Sequence, residues 1–263
     1  PAMGIFQDCY IESRSKLHVN DVFVRPLPDD SKAEAWIEVN NDYPLPKNIK
    51  LDLSLYGQNF TDTVFQNLEY IPFTKNVKGL GDLDRPTDGD RVGLPMIGGY
   101  VNYLKVTIDM GKFKMWEQDS PWLYELQVGI QNENGEMLDV TAREFGMRKF
   151  SMDTISKPKG MMYLNEEKIR LRGANTMGHL QNCVMDKDWT QLRDDILLAK
   201  IANMNFLRFT QRPVQKEVYE YCDMLGMLNQ TDLPMFGILT RNQFAEALKQ
   251  TEEMERLIRD HPS

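Results

Sequence analysis

The chain has 263 residues, of which 41% are hydrophobic and 27% charged, and it carries a net charge of −8. These are the proportions of a soluble globular protein, long enough for one large domain or two ordinary ones. The acidic balance argues against nucleic acid as the main partner, since phosphate binding needs a basic face, and no apolar run is long enough to span a bilayer.

The N-terminal segment, Pro1-Ala-Met-Gly-Ile-Phe6, has no charged n-region and no apolar h-region, so no signal peptide is read there. That favours the cytoplasm, while leaving open a signal on a longer parent chain. Strand-period alternation then dominates the first half. Ile49, Leu51, Leu53 and Leu55 alternate with Lys50, Asp52, Ser54 and Tyr56. Leu104, Val106 and Ile108 alternate with Lys105, Thr107 and Asp109, and Tyr124, Leu126, Val128 and Ile130 with Glu125, Gln127, Gly129 and Gln131. A period of two marks strands with one buried face. Further strands are expected over residues 18–25, 33–39, 63–70 and 137–145. About seven short strands of this kind make an immunoglobulin-like β-sandwich. Residues 76–99, rich in Gly, Asp and Pro, read as a long loop. Trp116 and the Pro121-Trp-Leu-Tyr124 run precede a strand; their aromatics either pack at the sandwich end or form a platform for a sugar ring.

After Lys149 the period changes. Residues 161–164 and 168–171 flank Asn165-Glu-Glu167 as a hairpin, and residues 169–172 are expected to open a new domain, closed by Gly173. Asp188 is a helix N-cap with Gln191 three residues on, and Leu192, Ile196 and Ala199 follow at helical spacing. Residues 204–209 form a short apolar strand. Val214, Val218, Tyr221 and Leu225 mark a helix ended by Gly226, residues 227–230 a third strand, and Phe244, Leu248, Leu257 and Ile258 a third helix. Strands alternating with helices specify parallel β/α units. An eightfold barrel needs eight; about three are present, so the fold class expected is a β-sandwich followed by an incomplete (β/α)8 TIM barrel. Such a remnant has open edges and invites homo-oligomers or swapped assemblies.

An ordered series of motifs now accumulates. Gly146-Met-Arg-Lys-Phe150, Tyr163-Leu-Asn-Glu-Glu-Lys-Ile-Arg-Leu-Arg-Gly-Ala-Asn175, Asp194-Asp-Ile-Leu-Leu-Ala-Lys-Ile-Ala-Asn-Met-Asn-Phe-Leu-Arg208, Tyr221-Cys-Asp-Met-Leu-Gly226 and His261-Pro-Ser263 occur in sequence. The series resembles glycoside hydrolase family 2, the group of β-galactosidases, β-glucuronidases and β-mannosidases. Gly4-Ile-Phe-Gln-Asp-Cys-Tyr10 resembles the end of that family's jelly roll, and Trp116 with Ser120-Pro-Trp-Leu-Tyr124 the late part of its middle sandwich. The resemblance implies a jelly-roll tail over residues 1–13, an immunoglobulin-like domain over 14–148 and the start of the catalytic barrel over 149–263. It also implies a retaining exo-β-glycosidase, of β-galactosidase type by preference, acting on a carbohydrate substrate through two glutamates. Both glutamates would lie beyond Ser263, so no catalytic residue is assigned and the chain alone is expected to be inactive.

For substrate binding the candidates are Arg208, Asn175, His179, Gln211 and Asp232. The family places an arginine like Arg208 against the nucleophilic carboxylate, where a guanidinium orients it and keeps it ionised; the plain alternative is a structural salt bridge. Asn175 and His179 follow the first barrel strand, where loops face the sugar, though His179 reads equally as an exposed loop histidine. Gln211 stands where many members have His, which leaves the sugar specificity open. Asp232 either binds a hydroxyl or braces the turn at Leu233-Pro234. The odd number and wide spacing of Cys9, Cys183 and Cys222 indicate neither a disulfide framework nor a zinc knuckle, and Cys222 reads as a buried thiol. No metal-ligand cluster, phosphate loop or cofactor motif is read. The rival reading is a non-catalytic carbohydrate- or protein-binding sandwich with a vestigial barrel, using residues 76–99 and Trp116 as its contact surface.

Overall fold

The computed structural model describes residues 9–45, 47–61, 76–77, 94–96, 100–235, 237 and 240–263. The chain divides into two compact units, one of residues 11–114 and 123–147, the other of residues 1–10, 115–122 and 148–263.

The first unit is built from two four-stranded antiparallel sheets. One runs β1 (Leu17–Leu27), β2 (Lys32–Asn41), β6 (Tyr100–Asp109) and β4 (Asn76–Val77). The other runs β5 (Leu94–Met96), β3 (Lys47–Gly57), β7 (Tyr124–Gln131) and β8 (Met137–Phe145). The alternating residues do what their spacing dictates. Ile49, Leu51, Leu53 and Leu55 are buried on β3, Leu104, Val106 and Ile108 on β6, and Leu126, Val128 and Ile130 on β7. β1 carries a bulge between Val19 and Asp21. The extra residue, Asn20, shifts the buried phase from Leu17 and Val19 to Val22 and Val24, so a strand with broken alternation still buries one face. Arg143 of β8 donates to Asp21 of β1 at 2.9 Å. The strand expected over residues 63–70 lies outside the described residues. Of the expected loop over 76–99, Asn76–Val77 and Leu94–Met96 are strand residues, and the remainder is likewise outside the description.

The second unit opens with a three-stranded antiparallel sheet of β9 (Phe150–Asp153), β10 (Met161–Leu164) and β11 (Glu167–Ile169). The β10–β11 turn falls on Asn165 and Glu166, both at positive φ (51° and 71°), the backbone that a two-residue hairpin loop demands. The expected opening strand over 169–172 is corrected here. Ile169 ends the hairpin, and the first parallel strand is β12 (Gly173–Thr176). A Cβ on Gly173 would stand 1.7 Å from the carbonyl oxygen of Phe206, so only glycine lets the two strands close up at this point. β13 (Phe206–Phe209) and β14 (Leu228–Thr231) complete a parallel sheet of order β12-β13-β14, in which Asn175, Arg208 and Gln230 share one register.

Among the described residues four α-helices accompany these strands: α1 (His179–Met185), α2 (Trp189–Ile201), α3 (Lys216–Leu225) and α4 (Phe244–Ile258). Asp188 caps α2 by accepting from the Gln191 amide at 2.9 Å, and Gly226 ends α3 in the left-handed region. α1 was not expected; its seven residues are too few to show a helical period. Leu207 and Phe209 of β13 are buried in one cluster with Leu192 and Ile196 of α2 and Val218, Tyr219 and Cys222 of α3. Strand alternation turns Phe206 and Arg208 to the opposite face.

The segment 115–122 belongs to this second unit, although it sits in sequence between sandwich strands. Trp116 is fully buried and donates its indole N–H to the Asp223 carbonyl at 2.9 Å. Gln118 donates to the Asn205 carbonyl at 2.7 Å, and Lys200 of α2 bridges the carbonyls of Gln118 (2.7 Å) and Leu225 (2.6 Å). Trp116 is therefore not exposed as a sugar platform or contact surface. Its large apolar area is worth more against α3 than in water.

Candidate functional site

The parallel sheet delivers its candidate residues to the C-terminal ends of the strands, the end at which β/α barrels build their sites. Arg208 is the third residue of β13, and Asp232 follows the last residue of β14. The guanidinium grips the carboxylate at two points, Nε to Oδ1 at 3.0 Å and Nη2 to Oδ2 at 2.7 Å. Asp232 accepts further from the Gln211 amide at 3.2 Å and from Gln230 Nε2 at 3.3 Å. Its own amide donates to the Phe209 carbonyl at 3.0 Å. Gln211 reaches this position with φ at 72°. Thr210 Oγ1 ties the end of β13 to the Thr176 carbonyl of β12 at 3.0 Å.

Around the ion pair lies an open cleft of about 440 Å³, lined in part by Asn175, Met177, Arg208, Gln211, Asp232 and Met235. Four of the five residues singled out from the sequence thus share one cleft. The fifth does not. His179 begins α1, and its Nε2 lies 2.7 Å from Asp195 Oδ2 on α2. The apolar wall of Met177, Leu233 and Met235 was not anticipated; a methionine after a strand carries no chemical signature in sequence.

The electrostatics follow from the two-point contact. Hydrogen bonding from Arg208 is the main cause holding the Asp232 carboxyl below the usual carboxylate value, and the same bond raises the guanidinium. Asp232 uses two of the five N–H donors of Arg208. The arrangement is a rigid, cation-bearing floor flanked by amide side chains, suited to hold a second carboxylate or the hydroxyls of a polar ligand.

A second constellation was missed from the sequence. His179 and Cys183 of α1 and Asp195 of α2 bring one ligand-type atom each to within 4.8 Å of one another. The His179-x-x-x-Cys183 spacing puts two of them on one helix face, a signal the reading passed over; Asp195 joins only through the packing of α2.

A sandwich followed by parallel β/α units is a multidomain layout, and comparison with known proteins gives its family. The model of glycosyl hydrolases family 2 matches residues 17–148, and that of the family's TIM barrel domain matches residues 155–259. The chain belongs to glycosyl hydrolase family 2, and its residues 155–259 match the TIM-barrel domain of that family. It is 25% identical over 227 residues to a β-galactosidase of Alteromonas mediterranea, covering 85% of this chain and 19% of the relative. To a β-galactosidase of Streptococcus thermophilus it is 27% identical over 231 residues, covering 85% and 18%. It therefore spans about a fifth of the length of these curated relatives. Among solved structures, a β-galacturonidase from Eisenbergiella tayi superposes with a TM-score of 0.72 at 16% identity, over 95% of this chain and 40% of that one. A β-glucuronidase from Bacteroides uniformis gives 0.66 at 20% identity, over 94% and 28%. At such identities these two speak for the fold alone.

Proposed function

We propose that this chain carries the middle sandwich and the opening β/α units of a retaining exo-β-glycosidase of β-galactosidase type. In this reading residues 1–13 are the tail of a preceding jelly roll, 14–148 the immunoglobulin-like domain, and 149–263 the start of a (β/α)8 barrel. The observation that carries it is the Arg208–Asp232 pair at the C-terminal ends of adjacent parallel strands, in a cleft shared with Asn175 and Gln211. The Ser263 carbonyl adds support: it accepts from the Asn229 amide at 2.9 Å, on the side of β14 away from β13, where a further parallel strand would begin.

Retaining hydrolysis uses two carboxyl groups about 5–5.5 Å apart, one as acid/base and one as nucleophile. Both lie outside residues 1–263 in this reading. Asp232 fixes Arg208, and the remaining guanidinium donors orient the incoming nucleophilic carboxylate and keep it ionised. Asn175 and Gln211 hydrogen-bond sugar hydroxyls. His179, turned to Asp195, is left out of the sugar-binding set. The names of the relatives support terminal β-galactosides as substrates. The open strand edges favour association with a second copy or with the remaining barrel strands.

The test is to assay the 263-residue chain on an aryl β-galactoside while following galactose binding by amide NMR. No turnover is expected, with shifts at Asn175, Arg208 and Gln211 that Arg208→Ala abolishes. Turnover that survives Arg208→Ala would sink the proposal, as would galactose-dependent shifts confined to the sandwich.

A further inference from the structure

The cluster of His179, Cys183 and Asp195 lies on the helical side of the second unit, and nothing in the sugar-site reading uses it. We propose that these three side chains form a site for a thiophilic divalent cation, with zinc as the metal whose chemistry fits best.

The donor set comes first. His179 and Cys183 stand one helical turn apart on α1, so their side chains rise on the same face. Asp195 arrives from α2, its Oδ2 at 2.7 Å from His179 Nε2 and 4.0 Å from Cys183 Sγ. All three donor atoms lie within 4.8 Å of one another. Tetrahedral zinc, with bonds of about 2.0–2.3 Å, places its ligand atoms about 3.3–3.8 Å apart. The nitrogen and oxygen must therefore separate by about 0.6 Å, a side-chain rotation rather than a backbone change. One imidazole, one thiolate and one carboxylate select zinc, or its cobalt surrogate, over magnesium and calcium, which take oxygen ligands alone.

The surroundings agree. Gln191 Nε2 donates to the other oxygen of Asp195 at 2.6 Å, fixing the carboxylate as outer partners of metal ligands do. Asp186 and Asp188 add negative charge near Cys183. Burial first, then the charges of Asp195 and Asp188, push the Cys183 thiol above its ordinary value; a divalent ion acts in the opposite direction. On binding, Cys183 releases its proton to solvent, the metal–sulfur, metal–nitrogen and metal–oxygen bonds form, and water fills the fourth position. Cys183 is buried while the His179 side chain is 68% exposed, so the ion has an entry path and an open side.

α1 has seven residues and packs Leu180 and Cys183 into the core cluster of the unit. A metal bridging α1 to α2 staples it in place.

The 263-residue chain, reduced and stripped with chelator, is titrated with Co(II) and then with Zn(II). Expected are a thiolate-to-cobalt charge-transfer band at one equivalent, its displacement by zinc, and at least tenfold weaker binding in His179→Ala, a change at an exposed position. Cys183→Ser should abolish the band and Cys9→Ser leave it intact. Should Cys183→Ser misfold, His179→Ala decides alone. No charge-transfer band at stoichiometric cobalt, a band that His179→Ala leaves unweakened, or one that follows Cys9 instead would overturn the assignment.

Discussion

The indole of Trp116 donates to the backbone carbonyl of Asp223 at 2.9 Å across 107 residues of sequence. A segment flanked by sandwich strands thereby becomes part of the α/β unit. Trp116→Ala removes a fully buried aromatic and leaves a cavity against α3, at a cost of about 3–5 kcal/mol. Trp116→Phe retains most of the area but strands the carbonyl, at about 1–3 kcal/mol. Urea unfolding of the two variants should rank them in that order, and equal midpoints for Trp116→Ala and the wild type would refute the docking.

Gly226 tests the same junction from the helix side. Its φ is 67°, and a Cβ there would lie 2.1 Å from the carbonyl oxygen of Gln118. Gly226→Ala meets both a backbone penalty of about 1 kcal/mol and a clash with main chain that cannot rotate away. The expected total exceeds the loss for alanine at Gly135, also at positive φ (83°) but with open space around it. Parallel thermal melts of the two variants measure the difference.

Asp223 is 1% exposed and accepts from His261 Nδ1 at 2.5 Å and from the Ser263 amide at 2.9 Å. Its charge also partly offsets the burial that lowers Arg148. Asp223→Ala removes one partner from a buried charged network, at about 3–5 kcal/mol. Asp223→Asn keeps an acceptor and should fall between alanine and the wild type in denaturant midpoint.

Much of this was legible in sequence. The residue alternation at 49–56, 104–109 and 124–131 produced the sandwich, because period two on one chain forces one buried face. Asp188 and Gly226 marked helix ends by side-chain and backbone chemistry alone. The first parallel strand was misplaced because Ile169-Arg-Leu-Arg172 alternates like a strand, whereas the close approach at Gly173 decides where pairing begins. The candidate cleft was legible as far as strand ends are: Asn175, Arg208, Gln211 and Asp232 meet because strand ends in a parallel sheet share a rim. Trp116 and Asp195 were not legible, since their partners come from packing between segments far apart or on different helices.

The Arg208–Asp232 pair makes a pH prediction. The folded carboxyl sits below its ordinary value, chiefly through the hydrogen bonds from Arg208. A depressed value means that the contribution is present above the unfolded carboxylate value of about 3.9 and fades as pH falls through the folded one. A carboxyl-carbon NMR titration should find Asp232 ionising below about 3.9. In Arg208→Ala the midpoint should move upward, and an unmoved midpoint would show that the pair does not control the charge.

The thiols carry the opposite sign. Cys222 is fully buried, and burial first, then the charge of Asp223, pushes its thiol well above the ordinary value. The protein therefore keeps this stabilising difference below the unfolded value of about 8.5 and loses it as pH rises through and beyond that point, where only the unfolded chain ionises. Cys222→Ala costs a small cavity at neutral pH, about 1 kcal/mol, but lacks the alkaline penalty. The stability gap between wild type and variant should narrow between pH 8 and pH 10 by denaturant titration. Thiol labelling supplies an independent reading of the same burial. Exposed Cys9 should react first, Cys183 slowly, and Cys222 only through opening of the α2–α3 core, with a rate that follows denaturant as subglobal unfolding does. Labelling of Cys222 as fast as Cys9 would contradict the packing at the centre of this unit.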